Sequence, residues 1–534
     1  MANRMVSRLL RVFAICFLPI VTQAQTNSPN KPTWWAKYQW LATHRAVQGG
    51  GATSSQILGT NVDVSNECGP QSETFITVNP SRPSMLAAGS NEIFRDPMRG
   101  YFSSNDGASW GAVDLPLPPP RQGTNDGAFG SDPSLAFDTS GNLFYGYIVV
   151  LTGNGFGING TEMAVARSTN GGQTYPSATF FNFQTGGSYF NDKPIITTDT
   201  NLGSPLRDNV YIAWDAASGG KSSVGGIRVG ASPDQGASFS VSRADDPSGP
   251  GKSIGAVPFV GPDGTLYVSW NDFHNNIIAF NRSFDGGMTW DTQRTIAAKT
   301  LAFDIGIPAE SFRGALVYPA CDADRSDSSH RGRLYCSWMD LTQAGTTDIF
   351  VSFSHDRGSS WSTPARVADQ LPLSVDRFNQ WLSVDPVTGN VNLSFYDTRN
   401  DTTGQRFMTD TCTSRSPLTA ASLGAPPIPA LPPCVPTSLI ATVSSRAREL
   451  ITATSRVTTK GSSLLVACPI RSGPTAAASS SPPLAVAPTC SWRKSLPRQS
   501  SRAYGLAPRQ RRKAVTKTGP PPVVDRPCRL EAHV

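Results

Sequence analysis

An all-β fold, a β-propeller of four-stranded blades, is predicted by three observations. A serine-to-aromatic octet recurs five times in the 534-residue chain. Runs with period-two alternation, rich in β-branched and aromatic residues, fill the spaces between octets. The octets start 65, 64, 51 and 71 residues apart, which suits four short strands and their turns.

The octet reads Ser, any, Asp/Asn, any, Gly, any, Ser/Thr, aromatic. Its copies are Ser103–Trp110, Ser168–Tyr175, Ser232–Phe239, Ser283–Trp290 and Ser354–Trp361. Each pattern suits a hairpin turn. The third residue (Asn105, Asn170, Asp234, Asp285 or Asp356) accepts backbone N–H groups just ahead of it. The glycine (Gly107, Gly172, Gly236, Gly287 or Gly358) supplies a positive φ. The aromatic (Trp110, Tyr175, Phe239, Trp290 or Trp361) returns to the blade and packs. A calcium or ligand site on every loop is the functional alternative, but turn residues serve the local backbone first, so the octets report architecture.

Each octet closes a larger unit. Expected inner strands are Glu73–Pro80, Asp132–Asp138, Asp192–Asp199, Ala256–Gly264, Gly314–Asp324 and Gln380–Pro386. Second strands follow at Asn142–Ile148, Asn209–Asp215, Thr265–Asp272, Arg333–Asp340 and Asn390–Asp397. A third strand such as Asp348–Ser354 runs into the octet and a fourth leaves it. Ile57–Asn66 has the look of an outer strand that closes the ring, because closure removes free sheet edges.

The octet resembles the Asp-box (BNR) repeat of the sialidase superfamily, over about residues 66–410. The resemblance implies a propeller, and for a true sialidase hydrolysis of terminal sialic acid. That chemistry needs an arginine trio, an aspartate acid/base, and a tyrosine nucleophile activated by glutamate. The nearest match to the family's Arg-Ile-Pro motif is Phe94–Pro97, where Asp96 replaces the isoleucine and the segment reads as a strand-to-turn passage. Arg95, Arg313, Arg377 and Arg399 are arginines available for a trio, and no spacing selects three.

After Asp410 the strand pattern stops. Residues 411–534 hold 17 Lys+Arg against 3 Asp+Glu, and 18 of the 43 prolines; the remainder holds 29 bases against 36 acids. Thr411–Gly424 can be encoded so that the frame two nucleotides downstream reads VYFSQSLDGGVSW, a strand and a sixth octet. At the same offset Arg448–Ala477 can read as two further strands. The tail is therefore expected to be an out-of-frame, unstructured translation, and its basic charge is no argument for nucleic acid. Seven blades are preferred for the intact ancestor, six are the alternative, and about five and a half are retained.

The organisation expected is a signal peptide over 1–24, a linker over 25–56, the propeller over 57–410 and the tail over 411–534. Arg4, Arg8 and Arg11 precede the apolar run Val12–Val21, with Thr22-Gln23-Ala24 as a small-residue cleavage site. Ten apolar residues are too few to span a bilayer, so a secreted or periplasmic protein is expected. Export permits Cys321 and Cys336, on adjacent strands, to pair; Cys68 has no obvious partner in the body.

Candidate chemistry lies where inner strands begin. Glu73, Asp132, Asp192 and Gln380 start their strands, and Arg313 precedes one. Such starts ring one mouth of a propeller channel, where carboxylates and an arginine would bind sugar hydroxyls or supply acid/base chemistry. The alternative is that they cap local backbone. Asp397 and Arg399 read as a surface ion pair. The five histidines have no zinc spacing, and Asp322–Ser329 lacks the glycine and terminal glutamate of a calcium loop, so it reads as a solvated turn; no cofactor is called for. Two readings follow: a secreted, sialidase-like glycoside hydrolase, or a non-catalytic propeller binding a glycan or a surface protein. Either is expected to be a monomer with no membrane span.

Overall fold

Antiparallel strands ordered as the chain runs account for every sheet. The computed structural model describes residues 62–66, 71–153, 157–185, 190–217, 225–367, 374–399, 401, 405–406, 410–416 and 435–436. The expected signal peptide, the linker, Cys68 and the tail beyond residue 436 lie outside the described residues. So does the whole of Leu464–Val534, the second of the chain's two units. No described residue is helical, and no helix is long and apolar enough to cross a membrane.

Five four-stranded blades stand in a ring. From inner to outer strand, the first is Gln71–Val78, Leu86–Glu92, Arg99–Ser103 and Gly111–Asp114. The second is Gly127–Phe137, Leu143–Thr152, Ile158–Ser168 and Ala178–Thr185, and the third Phe190–Thr198, Val210–Ala217, Gly226–Ser232 and Ser240–Arg243. The fourth is Ser253–Val260, Leu266–Asp272, Ile277–Ser283 and Arg294–Ala298, and the fifth Ala320–Ala323, Leu334–Leu341, Thr347–Ser354 and Ala365–Arg366. A sixth sheet follows: Arg377–Val384, Val391–Asp397, Asp410–Ser416 and the two-residue Val435–Pro436. Phe75 of the first blade meets Trp381 of the sixth sheet edge-on at 5.8 Å.

The second strands carry the core. Trp214, Trp270 and Trp338, one in each of the third, fourth and fifth blades, are fully buried, because both faces of these strands meet neighbouring blades and leave no solvent side. Burying each indole stabilises the fold by about 3 kcal/mol. Cys321 and Cys336 are directly opposed across the fifth blade and joined by a disulfide.

Two expectations need correction. Gly314–Asp324 is not one inner strand: Glu310–Leu316 pairs with Asp304–Ile307 as an inserted hairpin, and the fifth blade's inner strand is only Ala320–Ala323. Pro319 between them has no N–H for a ladder, and Gly314 turns the chain at φ 85°. Arg313 thus belongs to the hairpin. Strand pairing also continues past residue 410, since Thr411–Ser416 belongs to a strand paired with Val391–Asp397. Of Ile57–Asn66, only residues 62–66 are described. There Val62 forms a single bridge, and Val64 packs on Ile76, Ala88 and Tyr101.

Candidate functional site

The inner strands share a defect that aims side chains. In the first, second, third, fourth and sixth sheets, two inner-strand residues oppose one on the second strand, a β-bulge. The first bulged residue is left-handed each time: Glu73 at φ 52°, Asp132 at 60°, Lys193 at 53°, Gly255 at 72° and Asn379 at 50°. Glycine adopts this backbone freely, whereas each of the other four pays about 1–2 kcal/mol. Strain held at equivalent points of four blades points to a use for the side chains.

The bulges correct the expected register. Glu73 and Asp132 are equivalent, but their counterpart in the third blade is Lys193, with Asp192 one residue earlier. In the sixth sheet it is Asn379, with Gln380 one residue later. Gln380 is committed to backbone, its Nε2 donating to Tyr318 O at 2.7 Å and Ser337 O at 3.2 Å. The side chain of Arg313 lies outside the described residues.

The structure brings Glu73, Asp132 and Asp192 together and adds three groups the sequence did not single out: Asn91, Lys193 and Asp215. Asn91 donates from Nδ2 to Glu73 at 3.1 Å, and its Oδ1 accepts the Asp132 amide at 2.7 Å. Ser131 Oγ and the Lys193 amide both donate to the Asp132 carboxylate, at 2.7 and 3.2 Å. Lys193 Nζ lies 3.7 Å from Glu73 and 5.5 Å from the centre of the Tyr318 ring. Asp215 faces Asp192 directly across the strand pair. Tyr318 also packs against Gly255 so closely that a Cβ there would lie 2.2 Å from its ring.

Burial and crowding drive these acids apart. For Asp192, burial first, then the charges of Asp132 and Asp215, push the pKa well above the carboxylate range. For Asp215, burial dominates again, and backbone hydrogen bonds from Gly255 and from its own amide do not offset it. Burial alone would also raise Asp132, but bonding with the Glu73 side chain and the Lys193 charge bring it below its usual value. Neutral acids beside an ionised one are what acid/base catalysis uses. A raised carboxyl stabilises the fold only while protonated, so Asp215 should cost stability as pH rises through its folded pKa. Asp215→Asn should therefore raise the thermal midpoint at pH 7, and the two proteins should coincide at about pH 3.5.

Three of the four arginines available for a trio, Arg95, Arg377 and Arg399, are engaged with aspartates. Arg95, in a turn after the second strand of blade one, pairs with Asp114 at 2.7 Å. Arg377 is fully buried between Asp348 and Asp397. Asp397 and Arg399 do pair, but Asp397 is buried, so the expected surface pair is part of an interior network. A Tyr–Glu pair exists in Tyr101 and Glu92, whose carboxylate also takes Ser90 Oγ at 2.6 Å. It is buried beside Tyr145 of the next blade. Among the described residues, no three His, Cys, Asp or Glu are arranged to hold a metal ion. The Asp322–Ser329 turn is buried rather than solvated at Asp324, which is capped by Ser326 and Ser328.

The octets decide the architecture. In all five, the serine Oγ donates to the third residue and accepts the glycine N–H, as in Ser232, where these distances are 2.7 and 2.8 Å. The third residue in turn accepts the amide of the seventh, at 2.9–3.1 Å. The molecule is a β-propeller with one such octet closing each of its five blades.

No protein-family model matches the chain, and no curated protein does. Solved structures of similar fold are sialidases and related chains. The Hadza microbial sialidase Hz136 is 14% identical with a TM-score of 0.43; the match covers 62% of this chain and 64% of that one. The intramolecular trans-sialidase from Ruminococcus gnavus, solved with oseltamivir carboxylate, is 12% identical with a TM-score of 0.41, covering 66% and 96%. A Dyadobacter fermentans protein of unknown function is 15% identical with a TM-score of 0.39, covering 62% and 91%.

The boxes of this propeller differ in their response to acid. The Ser238 hydroxyl, helped by Ser232, holds Asp234 down at about 2. Burial opposes the same shift at Asp356, where the Ser360 hydroxyl and amide still bring it to about 2. In the first two boxes asparagine takes this place, and its Nδ2 donates to Ser109 or Thr174 instead. A depressed carboxyl stabilises above its unfolded pKa, near 3.8, and that contribution is lost as pH falls to 2. Asp234→Asn should flatten part of the fall in thermal midpoint between about pH 4 and pH 2.

Proposed function

We propose that this is a secreted, carbohydrate-active propeller of the sialidase-like kind, which hydrolyses a glycosidic bond at the channel mouth. The observation that carries the reading is the pair Asp132 and Asp192, hydrogen-bonded carboxyls that their surroundings push in opposite directions, Asp132 down and Asp192 up. Protonated Asp192 gives its proton to the leaving oxygen as the C–O bond breaks. Because the two carboxyls are hydrogen-bonded to each other, too close to flank the sugar from opposite faces, the water that follows enters from the side the leaving group vacates and gives its proton to ionised Asp132. In its exo-sialidase form the reading draws on the family resemblance of the octets, and Lys193 would be the cation nearest the sugar carboxylate.

A second reading is a non-catalytic propeller that binds a glycan or a protein through the same mouth. It is favoured by Arg95, tied to Asp114, and by Arg377 and Arg399, which share Asp397. The test is turnover of fluorogenic glycosides, a sialoside among them, by the full chain beside Asp132→Asn and Asp192→Asn. Turnover lost in both variants, with unchanged thermal midpoints, supports hydrolysis. Binding on a glycan array without turnover supports the second reading.

A further inference from the structure

The left-handed bulge residues are held by the blades that precede them. The Asp132 amide donates to Asn91 Oδ1 of the first blade at 2.7 Å, and the Lys193 amide to the Asp132 carboxylate of the second at 3.2 Å. The Gly255 amide, in turn, bonds Asp215 of the third. A left-handed backbone persists in a residue other than glycine only where its surroundings over-determine it, and these ties act across each blade boundary.

Asn91 differs from the other two acceptors because it grips two bulges. It is fully buried on the second strand of the first blade. An amide N–H can only donate, so the Asn91 atom facing the Asp132 amide is the acceptor Oδ1, and Nδ2 is left for Glu73. There it donates to Oε2 at 3.1 Å. One planar group therefore fixes Glu73 by its carboxyl and Asp132 by its backbone, and the Glu73 side chain in turn bonds that of Asp132. Aspartate at this place would offer two acceptors and leucine none. Of the three residues of this shape, asparagine alone can make both bonds.

We propose that Asn91 is a positioning residue for Asp132: it turns the Glu73 carboxyl toward the Asp132 carboxylate and holds the two at one geometry across the boundary between the first and second blades. The proposal rests on the reading of Asp132 as the base. Asn91 acts through Glu73 and not on the substrate. The other ionisable groups beside Asp132 are Asp192 and Lys193 of the third blade's inner strand and Asp215 of its second strand, and the variants below leave all three in place.

The experiment is a carbon-13 carboxyl NMR titration of Asp132 in the full chain, in Asn91→Leu, in Glu73→Ala and in the double variant. Each single change should raise the Asp132 midpoint, because each removes the Glu73 bond that helps to hold it low. The double variant should go no higher than either single one, since the two residues act in series. A wild-type midpoint in Asn91→Leu, or shifts that add in the double variant, overturns the proposal. Thermal midpoints check folding. If Asn91→Leu does not fold, Asn91→Ser takes its place, with one hydroxyl instead of a two-ended amide. On a fluorogenic glycoside the Asn91 variant should lower kcat by about ten- to a hundredfold at unchanged KM, with the acidic limb moved up in pH. A rise in KM alone would also overturn the role. Raised, non-additive midpoints in a chain that cleaves no glycoside would keep the positioning of Asp132 and overturn the hydrolytic reading instead.

Discussion

Replacing Arg377 by methionine should lower the free energy of unfolding by about 3 kcal/mol, read from the urea midpoint. Its guanidinium joins the last two sheets. Nε donates to Asp397 at 2.9 Å, and Nη1 to Asp348 of the fifth blade at 3.1 Å. Arg366 supports Asp348 from the other side at 2.7 Å, and Arg399 supports Asp397 at 2.8 Å. These second arginines are why the loss sits at the low end for a broken buried pair; without them each aspartate would stand uncompensated. Around the network, Asp376 accepts the Thr347 amide at 3.0 Å and pairs with Arg406. Coupling makes the prediction sharper. Asp397→Leu combined with Arg377→Met should be less destabilising than the sum of the two changes, since neither partner is left stranded by loss of the other. Additive losses would show that the two groups do not act as a pair.

Asp132→Asn should reduce glycoside turnover by about a hundredfold or more while moving the thermal midpoint little. The amide keeps an acceptor for the Lys193 N–H or Ser131 Oγ, so the local scaffold survives. What it loses is the charge that makes Asp132 a base. The pH profile provides a second readout. The depressed pKa of Asp132 places the acidic limb of wild-type activity below the ordinary aspartate value, and the raised pKa of Asp192 places the alkaline limb well above it. Asp192→Asn should remove the alkaline limb together with most of the rate. A variant profile with both limbs intact would assign the acid and base to other groups.

The parts of the fold that were legible are those decided within a few residues. An octet holds its own hydrogen bonds, so Ser232, Asp234 and Gly236 announce the turn without reference to anything distant. The carboxyl cluster was half legible, because Glu73, Asp132 and Asp192 stand at strand starts. Their register was not. A left-handed bulge leaves no mark when glutamate, aspartate, lysine or asparagine occupies it, and only Gly255 has the residue type such a backbone favours. Lys193 was therefore passed over for its neighbour. Asp215 closes a second strand, and only pairing across the sheet reveals that it faces Asp192. Asp397 and Arg399 were visible as neighbours, but the burial of the pair depends on Arg377 and on Asp348 from another blade. The inserted hairpin was hidden because its residues alternate like any strand, although Pro319 was a signal that the run is broken.

The octet loops also reach backward along the chain. Gly236 rests on Phe144 of the preceding blade and takes a hydrogen bond from Thr179 at 2.6 Å. Gly287 accepts Ser242 at 2.6 Å, Trp290 also donates to that serine, and Gly358 lies against Phe280. During synthesis, then, each newly made sheet brings the latch that fastens its predecessor. Assembly on the ribosome can proceed as a one-way ratchet, with each completed segment locked before the next emerges.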